Sequence, residues 1–266
     1  MDLERLTAAV CEIAIEGGKY LAEQRSSFDK NKIEEKNSHD YVSYVDKETE
    51  KILVKHLQGL LPEAAFITEE KTVEFEELDY CWVIDPLDGT TNFIYDNPPY
   101  SVSIALKYKS EIIIGVVYEV TRSECFYAWK GGGSYLNGRK LNVSDVTRLD
   151  KASVGLDLPY NSEKYKPVIN RLVDCMYGTA ASVRLYGSAA VAICYVAAGR
   201  FDIWAEAFVQ LWDFAAGTLI VEEAGGKITD FYGNGDFLGG HHIIASNGTP
   251  LHDEIKALLS DFKDIL

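Results

Sequence analysis

No apolar run in this chain reaches the roughly 18 residues needed to cross a bilayer. The opening stretch, MDLERLTAAVCEIAIEGGKYLAEQ, scatters acids among its apolar positions and lacks the basic-then-apolar layout of a secretory signal. Cysteine is sparse. The five thiols, at 11, 81, 125, 175 and 194, are odd in number, widely spaced and form no CxxC pair. This argues against a disulfide framework and a cysteine zinc site, and predicts reduced thiols in a cytoplasmic protein. Basic residues are outnumbered, 26 Lys and Arg against 41 Asp and Glu, for a net charge of −15. A broad basic face is therefore not expected, so neither nucleic acid nor membrane is expected as a partner. The five histidines, at 39, 56, 241, 242 and 252, show no metal-ligand spacing. Proline is scarce and scattered, and no repeat, low-complexity tract or linker breaks the chain.

What is present is a 266-residue chain, 47% hydrophobic, with ample material for a large core. Apolar residues from Leu3 to Leu21 recur at helical spacing, predicting a helix over about 2–25, and Ile52 to Leu60 predict another over about 45–61, ended by Pro62. Strands are expected at 64–68 and 81–84, followed by a meander at 101–108, 111–120 and 124–129. Gly131–Gly133 has no following lysine and reads as a turn rather than a phosphate loop, and Asn137-Gly138 is a second turn. Beyond residue 145 strands and helices alternate. Strands are expected at 152–156, 183–185, 201–204 and 243–245, and helices at 163–177, 188–198, 212–224 and 252–262. The expected organisation is one unit over 1–266, with a larger sheet and the N-terminal helices in 1–145 and the β/α-alternating part in 146–266.

The chemistry concentrates in Trp82-Val-Ile-Asp85-Pro86-Leu87-Asp88-Gly89-Thr90-Thr91-Asn92-Phe93. Two carboxylates three apart at a strand end, with the Leu87 carbonyl between them, offer the hard oxygen donors that divalent cations take. A helix opened by Gly89-Thr90-Thr91 would present free N–H groups to an anion. Read alone, this DxxDG is equally well a turn with capping acids. Two further acid clusters matter: Glu69-Glu70 after the apolar run Phe66-Ile67, and Asp213 in Trp212-Asp213-Phe214-Ala215-Ala216-Gly217. By themselves these would be a solvated pair and a helix cap. The charged stretch 47–51 reads as a solvated face, and residues 30–42 as solvated charge or a flap.

Together these residues resemble the inositol monophosphatase family. The likeness rests on the Glu-Glu pair, WVIDPLDGTTNF, PYSVSIAL, GGGSYLNG, GSAAVAI, WDFAAGTLIVEEAGG and IIASNGTPLHDEI, and it covers nearly the whole chain. DPLDGTTNF and WDFAAG in this order form a specific pairing. The resemblance implies an α+β fold, a layered α-β-α-β-α sandwich shared with fructose-1,6-bisphosphatase. It implies metal ligation by Glu69, Asp85, the Leu87 carbonyl, Asp88 and Asp213. It assigns catalysis to Glu69 and to Thr90, which orients the attacking water, with Asp46 as the acid paired to Thr90. Substrate contacts fall on Asp88, Gly89, Thr90, Gly187, Ser188, Ala189, Glu206 and Asp213. The implied cofactor is Mg²⁺, two or three ions per site, with inhibition by Li⁺ and a homodimeric state.

The implied activity is hydrolysis of a small polyol or sugar phosphate monoester, inositol monophosphate first, by in-line attack of metal-activated water. Clustered acids would repel a phosphate dianion unless cations outweigh them locally. Two such ions can clamp the phosphoryl group. The alternatives on this fold are a fructose-1,6-bisphosphatase, a nucleotide 3′-phosphatase, or a non-catalytic metal- or partner-binding relative. Thr91-Asn92-Phe93 resembles the inositol branch, where the nucleotide branch carries Lys-Glu-Phe. The chain departs from the pattern at Thr68, where many relatives have glycine, and at Gln210, often histidine or proline, which bears on substrate identity more than on the metals.

Overall fold

The computed structural model describes residues 1–29, 33–37, 40–159, 162–235 and 238–259. Helix α1 (Leu3–Ser26) starts at Asp2, whose side chain accepts the Arg5 N–H at 3.1 Å. Its Leu6, Val10, Ile13, Ala14 and Leu21 share one buried stripe. A hairpin of β1 (Ile33–Asn37) and β2 (Asp40–Ser43) leads into α2 (Tyr44–Leu60). The expected flap at 30–42 thus falls partly on this hairpin, while residues 30–32 and 38–39 lie outside the described residues.

A seven-stranded sheet follows: β3 (Ala65–Thr68), β4 (Tyr80–Asp88), β5 (Ser101–Tyr108), β6 (Glu111–Glu119), β7 (Glu124–Trp129), β8 (Gly133–Leu136) and β9 (Arg139–Lys140), in that spatial order. The short helix α3 (Thr90–Tyr95) sits between β4 and β5. A five-stranded sheet has the order β11-β10-β12-β14-β13, from β10 (Ser153–Leu156), β11 (Ser182–Leu185), β12 (Ile203–Glu206), β13 (Lys227–Thr229) and β14 (Ile243–Ser246). Its helices are α4 (Ser162–Met176), α5 (Ala189–Ala197), α6 (Leu211–Glu223) and α7 (Leu251–Leu259).

Three apolar clusters stack these elements into five layers. Helices α1 and α2 pack on one face of the large sheet through Val10, Leu53, Trp82 and Ile104. Helices α5 and α6 fill the space between the sheets, joining Val117 and Phe126 to Trp204 and Ile243. Helices α4 and α7 cover the outer face of the small sheet through Leu172, Ile203 and Ile255. All nine residues of α5 are buried, so no amphipathic stripe marks which layer it occupies. At Gly115 a Cβ would stand 2.4 Å from the Ala216 carbonyl oxygen, so only glycine lets α6 lie this close to β6.

The expected layered α+β architecture is the one observed. Most elements fall within a residue or two of their expected bounds. The differences have local causes. Strand β4 continues through Asp85-Pro86-Leu87-Asp88 rather than ending at Ile84, because β5 pairs with it as far as Asp88↔Ser101. Strand β12 lies later than 201–204, drawn on by its pairing of Glu206 with Ile243. Strands β8, β9 and β13 are two to four residues long, too short for a periodicity. The last helix is described to Leu259, and its expected extension to 262 lies outside the described residues.

Candidate active site

The register of β4 explains how its two acids come to share a side. Residues three apart on a regular strand face opposite ways. Between Asp85↔Ser103 and Asp88↔Ser101, β4 uses three residues where β5 uses two. This bulge restores both carboxylates to one face, and it holds Pro86, which has no N–H for the ladder. The Leu87 N–H donates to Asp85 Oδ1 at 2.9 Å. Gly89 then takes φ +87°, a left-handed conformation at little cost only for glycine, and turns the chain into α3.

Glu69 arrives from the neighbouring strand. Strands β3 and β4 are parallel with Thr68 opposite Ile84, and the Glu69 N–H donates to the Ile84 carbonyl at 3.2 Å. Glu69 is thereby set beside Asp85. Asp213 occupies the first turn of α6, where one carboxylate oxygen accepts the Gln210 N–H at 2.6 Å. Glu206 ends β12. Asp46 plays the equivalent capping part in α2. Its Oδ2 accepts from the Ser43 N–H at 2.9 Å and hydroxyl at 2.6 Å, while its Oδ1 accepts the Thr90 hydroxyl at 3.1 Å. The Leu87 carbonyl is an equally distant acceptor for Thr90, at 3.1 Å.

One cavity of about 700 Å³ gathers Glu69, Asp85, Leu87, Asp88, Gly89, Thr90, Gly187, Ser188, Ala189, Glu206 and Asp213. Asp46 is the exception among the expected site residues. It lies behind Thr90, 1% exposed, and is linked to the cavity by that hydroxyl and by the charge of Glu69. Ser188 Oγ and the Ala189 N–H, expected to touch substrate, both donate to Asp88, the N–H at 3.1 Å, and Ser101 Oγ adds a third bond to Asp88 at 3.0 Å.

The wall carries six carboxylates and, among the described residues, one cation, Lys71. Burial, followed by the charges of Glu69, Asp88 and Asp213, holds the Asp85 carboxyl well above the usual range. Burial raises Asp88 to about 7 against the pull of its serine hydrogen bonds, with Asp157 adding to the rise. Burial likewise raises Asp46 to about 6, with the Ser43 bonds opposing. A set of carboxylates and one backbone carbonyl suits a hard divalent cation, and cations would relieve the repulsion these shifts express. Among the described residues, no three His, Cys, Asp or Glu side chains are drawn into a closed ligand cluster. Asp88 is turned to its serines and Asp213 to its helix end, so the acids share a cavity rather than a finished coordination shell.

Three residues have parts in the site that no local pattern assigns to them. Glu50, one helical turn after Asp46, is fully buried rather than part of a solvated face. It accepts the N–H groups of Glu70 at 2.8 Å and Thr72 at 2.7 Å, so it fixes the segment that bears Glu69. Its i+4 spacing from Asp46 was the available signal. Asn92 donates to the carbonyls of Pro99 and Tyr186, both at 2.7 Å, and fastens the 186–188 loop to α3. Asp157 lines the cavity from the small sheet, at a strand end whose local sequence gives no sign of it.

Two stacked sheets and a cavity of carboxylates beside a bulged Asp-Pro-Leu-Asp strand define a class of protein, and the whole-chain comparison agrees. Residues 2–264 match the family model described as "Inositol monophosphatase family", and the chain belongs to that family. Nus factor SuhB of Escherichia coli K12 is 37% identical over 254 residues, covering 95% of this chain and 94% of that protein. Among solved structures, an IMPase from Thermotoga maritima has a TM-score of 0.88 at 30% identity, covering 98% of each chain. A structure of SaIMPase-II with inositol monophosphate bound has a TM-score of 0.80 at 25% identity, covering 97% of this chain and 96% of that one.

One expectation is overturned. Nucleic acid was excluded as a partner on net charge, yet relatives across 95% of this chain carry the name of a Nus factor. The exclusion does not stand. A net charge of −15 averages the whole surface and says nothing about any one face. As for membranes, among the described residues no helix is long and apolar enough to cross one.

Proposed function

We propose that this protein is a Mg²⁺-dependent phosphomonoesterase acting on a small polyol or sugar monophosphate, with inositol monophosphate as the reference substrate. The observation that carries the reading is the convergence of Glu69, Asp85, Asp88 and Asp213 on one cavity, with the Thr90–Asp46 hydrogen bond behind it. Glu69, Asp85, the Leu87 carbonyl, Asp88 and Asp213 are the groups that would hold the cations. Bound Mg²⁺ supplies neutralising charge at the phosphoryl group and an acidified water.

The chain's own residues do the rest. Thr90 has one proton, and both of its near acceptors, Asp46 Oδ1 and the Leu87 carbonyl, lie on the chain itself. With the proton committed to Asp46, Thr90 Oγ1 presents a lone pair toward the cavity, accepts a hydrogen bond from the attacking water and aims its oxygen. Direct attack by water makes no ester on Thr90. Asp88 would help to hold a cation, and by accepting from Ser188 Oγ and the Ala189 N–H it keeps those two donors at the alcohol end of the pocket. Glu206 accepts hydrogen bonds from hydroxyls of the alcohol, and Gly187 shapes that end of the pocket. SaIMPase-II has been solved with inositol monophosphate and also with 2′AMP, which supports a small phosphate monoester as the substrate class.

A second role, of the kind the Nus factor name denotes, is favoured by the 37% identity to the Escherichia coli protein. It is compatible with catalysis because every expected acid is present. The deciding experiment is phosphate release with Mg²⁺ from inositol 1-phosphate, fructose 1,6-bisphosphate and adenosine 3′,5′-bisphosphate. Inositol 1-phosphate should be hydrolysed fastest, with activity lost in EDTA and reduced by Li⁺. Release from none of the three would sink the enzyme reading, and preference for the nucleotide would sink the polyol one.

A further inference from the structure

Strand β10 lies between β11 and β12 and runs parallel to both. Leu156 pairs with Leu185 on one side and Ala205 on the other, so the next step in register sets Asp157 beside Tyr186 and Glu206. These are the carboxyl ends of three parallel strands, the edge at which open α/β sheets bind ligands. Asp157 is 6% exposed and lines the cavity. Its Oδ1 accepts the N–H groups of Tyr186 at 3.0 Å and Gly187 at 2.7 Å, and its Oδ2 accepts Trp204 Nε1–H at 3.0 Å. Burial raises this carboxyl above its ordinary range, and the three donors oppose that rise.

Two consequences follow from that placement. Asp157 holds the N–H side of the 186–188 loop while Asn92 holds its carbonyl side, so the loop that delivers Ser188 and Ala189 is clamped from both faces. Asp157 also puts a second negative charge next to Glu206. After burial, its charge is the strongest influence raising the Glu206 carboxyl well above the usual range. Among the described residues, no cation reaches the cavity from this sheet. Lys71 comes from the segment after β3 in the other one.

We propose that Asp157 is a positioning and specificity-determining residue of the alcohol subsite, making it, with Glu206, doubly acidic. Such a subsite accepts monophosphates whose body is neutral and rich in hydroxyls, and turns away esters carrying a second phosphate there. Hydroxyls donate to carboxyl oxygens, whereas a phosphate dianion must either lie against the charge of this pair or be met by a further proton on it, and both cost free energy. The inference rests on the phosphomonoesterase reading and narrows it.

The test compares kcat/KM for inositol 1-phosphate and inositol 1,4-bisphosphate, which share one ring and differ by a phosphate in place of a hydroxyl. Wild type should favour the monophosphate by at least about 30-fold, and Asp157→Asn should narrow that ratio about fivefold or more, chiefly through KM for the bisphosphate. Glu206→Gln, which removes the other carboxylate of the pair, should narrow the ratio too, and it decides the matter if Asp157→Asn does not fold. Equal losses on both substrates in the folded variants, or a ratio that they leave unchanged, would overturn the proposal. Phosphate release from neither compound by the wild type would instead overturn the enzyme reading beneath it.

Discussion

Thr90 Oγ1 donates to Asp46 Oδ1 at 3.1 Å although 44 residues separate them. The same Asp46 carboxylate closes the capping box of α2 on Ser43, so one side chain both starts a helix and sets the direction of a hydroxyl proton. Its replacement should therefore show in two measurements. Asp46→Asn is expected to lower kcat about 100-fold by releasing Thr90, and to cost about 1 kcal/mol from the weakened cap. Steady-state kinetics and a urea transition check the two effects separately. A kcat within twofold of wild type would show that Thr90 needs no such partner.

Asp85 should separate function from stability most cleanly. Its charge is opposed by Glu69, Asp88 and Asp213, so Asp85→Asn removes repulsion from the metal-free protein. Activity should fall at least about 100-fold, while the Tm in EDTA stays level or rises. Mg²⁺ should raise the wild-type Tm and raise that of the variant less. A variant that loses activity by unfolding in EDTA would contradict the assignment.

Glu50 fixes the Glu69 segment without touching the cavity, through the N–H groups of Glu70 and Thr72. Glu50→Ala orphans both donors and should cost about 2–4 kcal/mol. Glu50→Gln keeps an acceptor and should fold more nearly like the wild type. The Mg²⁺ concentration for half-maximal activity of Glu50→Gln should rise about tenfold, because its second donor is no longer held by a charged acceptor. An unchanged Mg²⁺ titration would reduce Glu50 to a purely structural role.

His252 should make the fold sensitive to acid. Its ring lies between Thr229 Oγ1 at 2.9 Å and Ser246 Oγ at 2.8 Å, with Nε2 facing the threonine and Nδ1 facing the serine. Burial first, then Lys227, lowers its pKa to about 4. The unfolded chain takes up this proton near the ordinary value of about 6.5, so the contribution is complete above that pH and is lost as pH falls toward 4. The loss should be of order 1–3 kcal/mol between pH 7 and pH 4. Urea midpoints for wild type and His252→Gln at several pH values test it. Parallel pH profiles would remove His252 as the cause.

Much of this protein is legible along the chain. The stripe of α1, the start and stop of α2, the meander β5–β7 and the glycine end of α6 are local patterns with local causes. The acids of DPLDG and of the WD segment stand out because carboxylates inside apolar runs need a reason. Glu50 is readable only in part, since the spacing that relates it to Asp46 also describes an exposed helix face. Asp157 is not readable at all. Its partners, Gly187 and Trp204, are 30 and 47 residues away, and no short-range pattern joins them.

The sequence alone determines most helices, strands and turns, because periodicity and turn residues act over a few residues, while the layer count and the ligand set are implied by the resemblance of its motifs to the inositol monophosphatase family. Only the tertiary structure decides that β4 bulges to bring Asp85 and Asp88 to one side, since that depends on its register with β5. It likewise decides that Asp88 is held by Ser101, Ser188 and Ala189, and that Asp157 stands beside Glu206. These relations come from the pairing and stacking of strands far apart in the chain, where burial and neighbouring charge, rather than residue type, set what a carboxylate can do.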